Sequence, residues 1–216
     1  MAADFDPGTG LGPRLRLVRE GRALSVRELA RRVGCSASLI SQVERGLSVP
    51  SVGVLYSLAS ELDCSLDYLL FGTGAAPTAI LLPGAGEAPE AAAGADAPRS
   101  DGVVQRGCDR RIIDLASGVR WERLTPGADD RVDFLEVIYS PGGHSTDERR
   151  PLRHEGREYG LILSGTLRAN VGFETYELKA GDSIAFDSST PHEYWNTTDD
   201  QVHAVWVVMH PAPGLP

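Results

Sequence analysis

Three short stretches hold side chains that could do chemistry. The first runs His154-Glu155-Gly156-Arg157-Glu158-Tyr159 and on to Gly165, the second opens with Gly181-Asp182, and the third is Pro191-His192-Glu193-Tyr194-Trp195-Asn196. Imidazoles and carboxylates of this kind ligate metals or hydrogen-bond a small ligand in a pocket. Other candidates read more plainly. His144 follows Pro141-Gly142-Gly143 as an exposed loop residue, and His203 and His210 are strand-surface and tail residues. Trp195, Trp206, Tyr139 and Phe186 fall in strand patterns, where core packing is the common fate of an aromatic. Arg120 and Glu122 flank Trp121 and point either into a barrel or to water. A fourth stretch suggests a different chemistry. Residues 13–45 carry eight arginines against three glutamates, a local charge of +5 in a chain of net −9, so the remainder totals −14. A basic head on an acidic body is the asymmetry of a nucleic-acid module joined to something else.

The elements that must position these groups follow from period and punctuation. A first helix runs from Pro13 to about Arg22, with Leu11, Leu15 and Val18 inward. Ser25 sits at an N-cap with Glu28 three residues on, a capping box, and Val26, Leu29, Ala30 and Val33 form the apolar stripe behind it. Gly34 ends that helix as a residue free to take positive φ. Ser36 caps the next helix, over about 36–45, with Leu39, Ile40 and Val43 inward and Gly46 at its end. Pro50 forbids continuation. Ser51 caps a fourth helix with stripe Val54, Leu55, Leu58, Ala59 and Leu62, and Ser65 caps a fifth with Leu66, Leu69 and Leu70. A helix, a Gly turn and a second helix make the geometry that lays the second helix in the DNA major groove. Residues 73–107 are rich in Ala, Gly and Pro and read as a flexible linker, within which Ala79-Ile80-Leu81-Leu82 could dock on a neighbour. From 109 the period becomes alternating. Candidate strands are 109–115, 120–125, 132–140, 158–163, 166–171, 174–178, 183–187, 192–196 and 202–208, the spacing of a sandwich or barrel.

The 216 residues suffice for two small domains. Cys35 and Cys64 fall at small apolar positions of helical patterns, and with Cys108 the count is odd, so the thiols read as reduced. No apolar run approaches the ~18 residues of a membrane helix, and the acidic N-terminus lacks a basic leader. A cytoplasmic location without a membrane partner is expected.

Two resemblances carry the expectation further. RELARRVGCSASLISQVERG followed by Pro50-Ser51 resembles the lambda-repressor-like regulators called the XRE family, over roughly residues 12–71. The resemblance implies that Ala37, Ser38 and Gln42 face DNA. Gln42 would pair with adenine, Ser38 would reach several bases, and Ala37 would pack on a thymine methyl. Ser36, at the start of that helix, joins the DNA-facing set; Arg27, Arg45 and the backbone N–H at the start of the second helix would meet phosphates, while Glu44 would brace the helix pair. In the second half, His154, Glu158 and Gly165 are spaced four and seven apart, and Gly181, His192 and Asn196 eleven and four. That pair of motifs resembles the cupin family over about 110–210. Metal ligands of that family carry over as His154, Glu158 and His192, with Leu152 where a further ligand His would stand. The resemblance implies a divalent metal (Fe, Zn, Ni or Mn), a metal-free ligand pocket, or a structural remnant.

The expected architecture is thus an all-α helix-turn-helix domain of five short helices over 12–72, the linker 73–107, and an all-β cupin (a double-stranded β-helix or jelly-roll barrel) over 108–212. The expected function is a ligand-responsive transcriptional regulator. Its partners would be palindromic operator DNA, a small-molecule effector and a second copy of the chain, since one such domain offers weak specificity. A long flexible linker favours coupling through dimer geometry over a rigid path. The alternative is an enzyme, because a helix-turn-helix fused to a cupin also occurs in an iron-dependent epoxidase of a phosphonate antibiotic pathway.

Overall fold

The computed structural model describes residues 10–72, 102–129, 131–146 and 151–211. Most of the expected linker, including Ala79–Leu82, and the first nine residues lie outside them. Five helices come first: α1 (Leu11–Gly21), α2 (Val26–Val33), α3 (Ala37–Glu44), α4 (Val52–Glu61) and α5 (Leu66–Phe71). Local chemistry sets their ends. The hydroxyls of Ser25, Ser36 and Ser65 accept from the backbone N–H of Glu28, Leu39 and Tyr68, and Gly34 ends α2 at φ 78°. Two expected caps differ. Glu28 turns its carboxylate to Arg31 and Arg32, so only half of the capping box forms. Ser51 has the N-cap backbone, but its buried hydroxyl makes no cap bond. Leu15, Val18, Leu29, Ile40, Leu55, Leu58 and Leu69 fill the helical core.

Nine antiparallel strands follow: β1 (Ile112–Leu115), β2 (Val119–Arg123), β3 (Val132–Tyr139), β4 (Arg157–Ser164), β5 (Thr166–Val171), β6 (Glu174–Lys179), β7 (Ser183–Asp187), β8 (His192–Trp195) and β9 (Val202–Met209). They form a six-stranded sheet, β1-β2-β3-β9-β4-β7, and a three-stranded sheet, β6-β5-β8. The strict alternation in β9, where Val202, Ala204, Trp206 and Val208 are buried, shows which face turns to the core. Gly160 on β4 lies opposite Trp206, and a Cβ there would sit 2.3 Å from the indole, so only glycine leaves room for that ring. Arg120 and Glu122 point outward, into ion pairs with Asp114 and Arg110.

The two domains are packed on each other. Their buried residues form one contiguous apolar cluster. The Gly53 N–H donates to the Ser145 carbonyl at 3.1 Å. Arg123 of β2, 4% exposed, pairs with Asp67 of α5 at 2.8 Å, and its guanidinium lies over the Phe71 ring. Burial pushes the Asp67 carboxyl up, against the pull of Arg123. A connection by linker alone therefore gives way to direct contact. The physical reason is a second apolar face on α4, made by Val52 and Tyr56, beside the stripe that faces its own domain.

Candidate DNA interface and candidate metal centre

At the DNA end, Ser36, Ser38, Gln42 and Arg45 are exposed along one stretch of α3 and its ends, with Arg27 exposed at the start of α2. Ala37 does not join them. It is half-buried and packs against the core, because the first turn of α3 leans on α2. Most arginines of the segment are engaged within the protein. Arg14 caps α5 by donating to the Leu69 and Leu70 carbonyls. Arg16 pairs with Glu20, Arg22 with Asp63, Arg31 with Glu28, and Arg32 with Glu28 and Glu61. Arg19 is buried and ties α1 to the end of α3 through both Glu44 oxygens, at 2.5 and 3.0 Å. Glu44 therefore braces α1 against α3. Arg27 and Arg45 have no carboxylate partner among the described residues. Arg45 donates only to the Ser41 carbonyl of its own helix.

In the barrel, Glu158 of β4, His192 of β8 and His154 of the approach to β4 converge. The His154 Nε2 and His192 Nε2 atoms lie 2.8 and 3.0 Å from Glu158 Oε1. All three atoms are buried, and none has a hydrogen-bond partner. The far side of each group shows why. His154 Nδ1 contacts the Glu155 carbonyl at 3.1 Å and His192 Nδ1 the Thr190 carbonyl at 2.8 Å. A carbonyl only accepts, so each Nδ1 carries the ring proton and each Nε2 presents a lone pair. Glu158 Oε2 accepts from Tyr194 Oη and Trp206 Nε1, both at 2.8 Å, which leaves Oε1 aimed at the imidazoles. Three buried lone pairs directed at one point are satisfied by a shared cation. The donor set therefore fits a divalent metal ion, with the outer atoms of each ligand already oriented. Burial works to raise the Glu158 carboxyl, and only imidazoles that carry a second proton, at Nε2, outweigh it and hold the group well below the ordinary carboxylate range.

The rest of the lining comes from both domains. Trp121, Val137, Tyr139, Tyr194 and Trp206 meet Val52 and Tyr56 of α4 around a cavity of about 30 Å³. The Tyr56 ring stacks on His154 with centroids 4.3 Å apart and planes 5° from parallel. Burial, reinforced by the nearby Asp133 carboxylate, lifts Tyr56 well above the usual phenol range. Leu152 is buried. Its backbone bridges His192, and its side chain meets Gly53, where a Cβ would come within 2.5 Å of Leu152 Cδ2. Asn196 is structural: its amide donates to the Tyr139, Ser140 and Asp200 carbonyls and shapes the loop after β8. Sequence reasoning missed Tyr56, Trp121 and Tyr194. The available signal for Tyr56 was the pair Val52 and Tyr56, four apart and off the main stripe of α4.

Comparison with known proteins agrees with this division. A helix-turn-helix family model matches residues 15–69 and a cupin domain model matches residues 135–208. The HTH-type transcriptional regulator PuuR of Escherichia coli is 28% identical over 195 residues, covering 89% of this chain and 91% of that protein. The uncharacterized HTH-type transcriptional regulator Rv0474 of Mycobacterium tuberculosis is 43% identical over 63 residues, 29% of this chain and 45% of that one. Among solved structures, an HTH_3 family transcriptional regulator from Vibrio cholerae superimposes with a TM-score of 0.62 at 22% identity, covering 95% of this chain and 98% of that chain. Among the described residues no helix is long and apolar enough to cross a membrane.

Proposed function

The chain is a DNA-binding transcriptional regulator with a helix-turn-helix domain and a C-terminal cupin sensing domain, and from that premise we propose how the two halves work. α3 enters the major groove of a palindromic operator, with Gln42 pairing bidentately to adenine and Ser38 beside it. Arg27, Arg45 and the start of α3 at Ser36 hold phosphates. The observation that carries this reading is that Gln42, Arg45 and Arg27 are exposed, and that among the described residues neither arginine has a carboxylate partner. Ala37 acts as packing for α3 and reads no base.

The protein works as a cytoplasmic homodimer, reading two half-sites about 34–36 Å apart. The outer face of the six-stranded sheet fits the dimer contact, since Phe134, Tyr159, Leu161 and Leu163 are 36–48% exposed there. His154, Glu158 and His192 hold a divalent metal. Such an ion supplies a Lewis-acidic point that fixes an oxygen or nitrogen of a small-molecule effector. An iron oxygenase is the second reading, favoured by one observation, the two-imidazole, one-carboxylate set.

The test is a salt-dependent gel shift and footprint on the gene's own upstream DNA, alongside metal analysis and oxygen uptake. Gln42→Ala should cost about 1–3 kcal/mol at one base position, and Arg45→Ala should weaken every sequence alike with a shallower salt slope. An unchanged footprint and base preference for Gln42→Ala would refute the groove assignment. Oxygen uptake with stoichiometric iron and no DNA affinity would favour the enzyme.

A further inference from the structure

We propose that Tyr56, a residue of the DNA-binding domain, is a positioning residue of the His154–Glu158–His192 site, so that docking of α4 on the barrel and metal occupancy form one coupled equilibrium. The proposal rests on the metal reading above. Glu158 and His192 are held by strands, whereas His154 sits in the irregular segment before β4. Its ring is held by the Glu155 carbonyl on Nδ1, by the edge-on ring of His192 5.2 Å away and by the face of Tyr56 stacked 4.3 Å away. Tyr56 is itself fixed, since its ring is buried and meets Trp121 edge-on at 5.9 Å.

Two small-scale features let α4 come this close. Gly53 has no Cβ to strike Leu152 Cδ2, and its N–H is spent on the Ser145 carbonyl. Withdrawal of α4 removes the stacking face, the contact of His154 that comes from the other domain. A supporting contact to a metal ligand is worth roughly 10–100-fold in affinity. Linkage then requires that metal hold α4 in place by the same factor.

The experiment uses the metal-free full chain titrated with Co(II) alone, read by its visible absorption and by amide hydrogen exchange in α4. Wild type binds one equivalent, and His192→Ala does not. Tyr56→Phe keeps the ring and binds within a few-fold of wild type. Tyr56→Ala and Gly53→Val, the second of which crowds α4 off Leu152 without touching a ligand, bind about tenfold or more weakly. Co(II) slows exchange in α4 in wild type and not in Tyr56→Ala. Should Tyr56→Ala fail to fold, Gly53→Val and the wild-type exchange decide. Equal Co(II) affinity in wild type and the folded variants, or exchange in α4 unmoved by Co(II), overturns the proposal alone. Absence of Co(II) binding by wild type overturns the metal reading and the proposal together.

Discussion

Glu158 divides its two oxygens between two tasks. Oε2 is anchored by Tyr194 and Trp206, and Oε1 is offered to the imidazoles. That division makes a sharp prediction. In Glu158→Gln the amide oxygen can keep the two anchors, while the NH2 group donates to the lone pairs at His154 and His192. The metal-free variant should match or exceed the thermal stability of metal-free wild type, because each orphaned acceptor gains a donor. It should also lose metal binding, since the charge is gone. Calorimetry on both forms, with and without metal, checks this. A variant that melts far below metal-free wild type would mean that the three atoms already share a proton in place of an ion. At this scale the convergence of His154, Glu158 and His192 was legible through the resemblance of their motifs to the cupin family, because motif intervals survive in a single sequence. Tyr194 was not legible, because its role depends on which strand lies beside β4.

Among the elements, α4 and α5 are where the chain departs from a head-and-tail arrangement. The nine strand windows drawn from alternation fall on the nine observed strands, with ends moved by up to three residues. The five helices fall where caps and stripes put them. Alternation and the 3.6 period report which face a segment buries, and so the elements could be read. What period cannot report is the identity of the surface that covers a second face. Val52 and Tyr56 stand off the main stripe of α4, and the barrel supplies their partner. The Arg123–Asp67 pair is the polar counterpart of that contact. Truncating Asp67 to Ala leaves a buried guanidinium without its carboxylate, at a cost of about 3–5 kcal/mol. Urea unfolding of the full chain should show this loss, and a change below 1 kcal/mol would mean that the two domains part readily in solution.

For the whole molecule, the proposed dimer would gain operator affinity by holding two recognition helices at one spacing. The exposed row on β4 offers a way to do so, since Tyr159 and Leu161 stand beside Val207 and Val205 of β9 in register. Leu161→Arg places a charge at the centre of that row. The expected result is a monomer by light scattering and about 100-fold weaker binding to a full palindrome, with half-site affinity intact. A Leu161→Arg dimer would move the contact elsewhere. The small cavity beside Tyr56 has a consequence of another kind. Its roughly 30 Å³ admits one or two waters, so anything larger requires Tyr56 to move aside. Stopped-flow uptake of a metabolite should therefore reach a ceiling as concentration rises, set by the molecule's own opening frequency. A cell would then receive its transcriptional response on the protein's clock, however steep the chemical pulse outside.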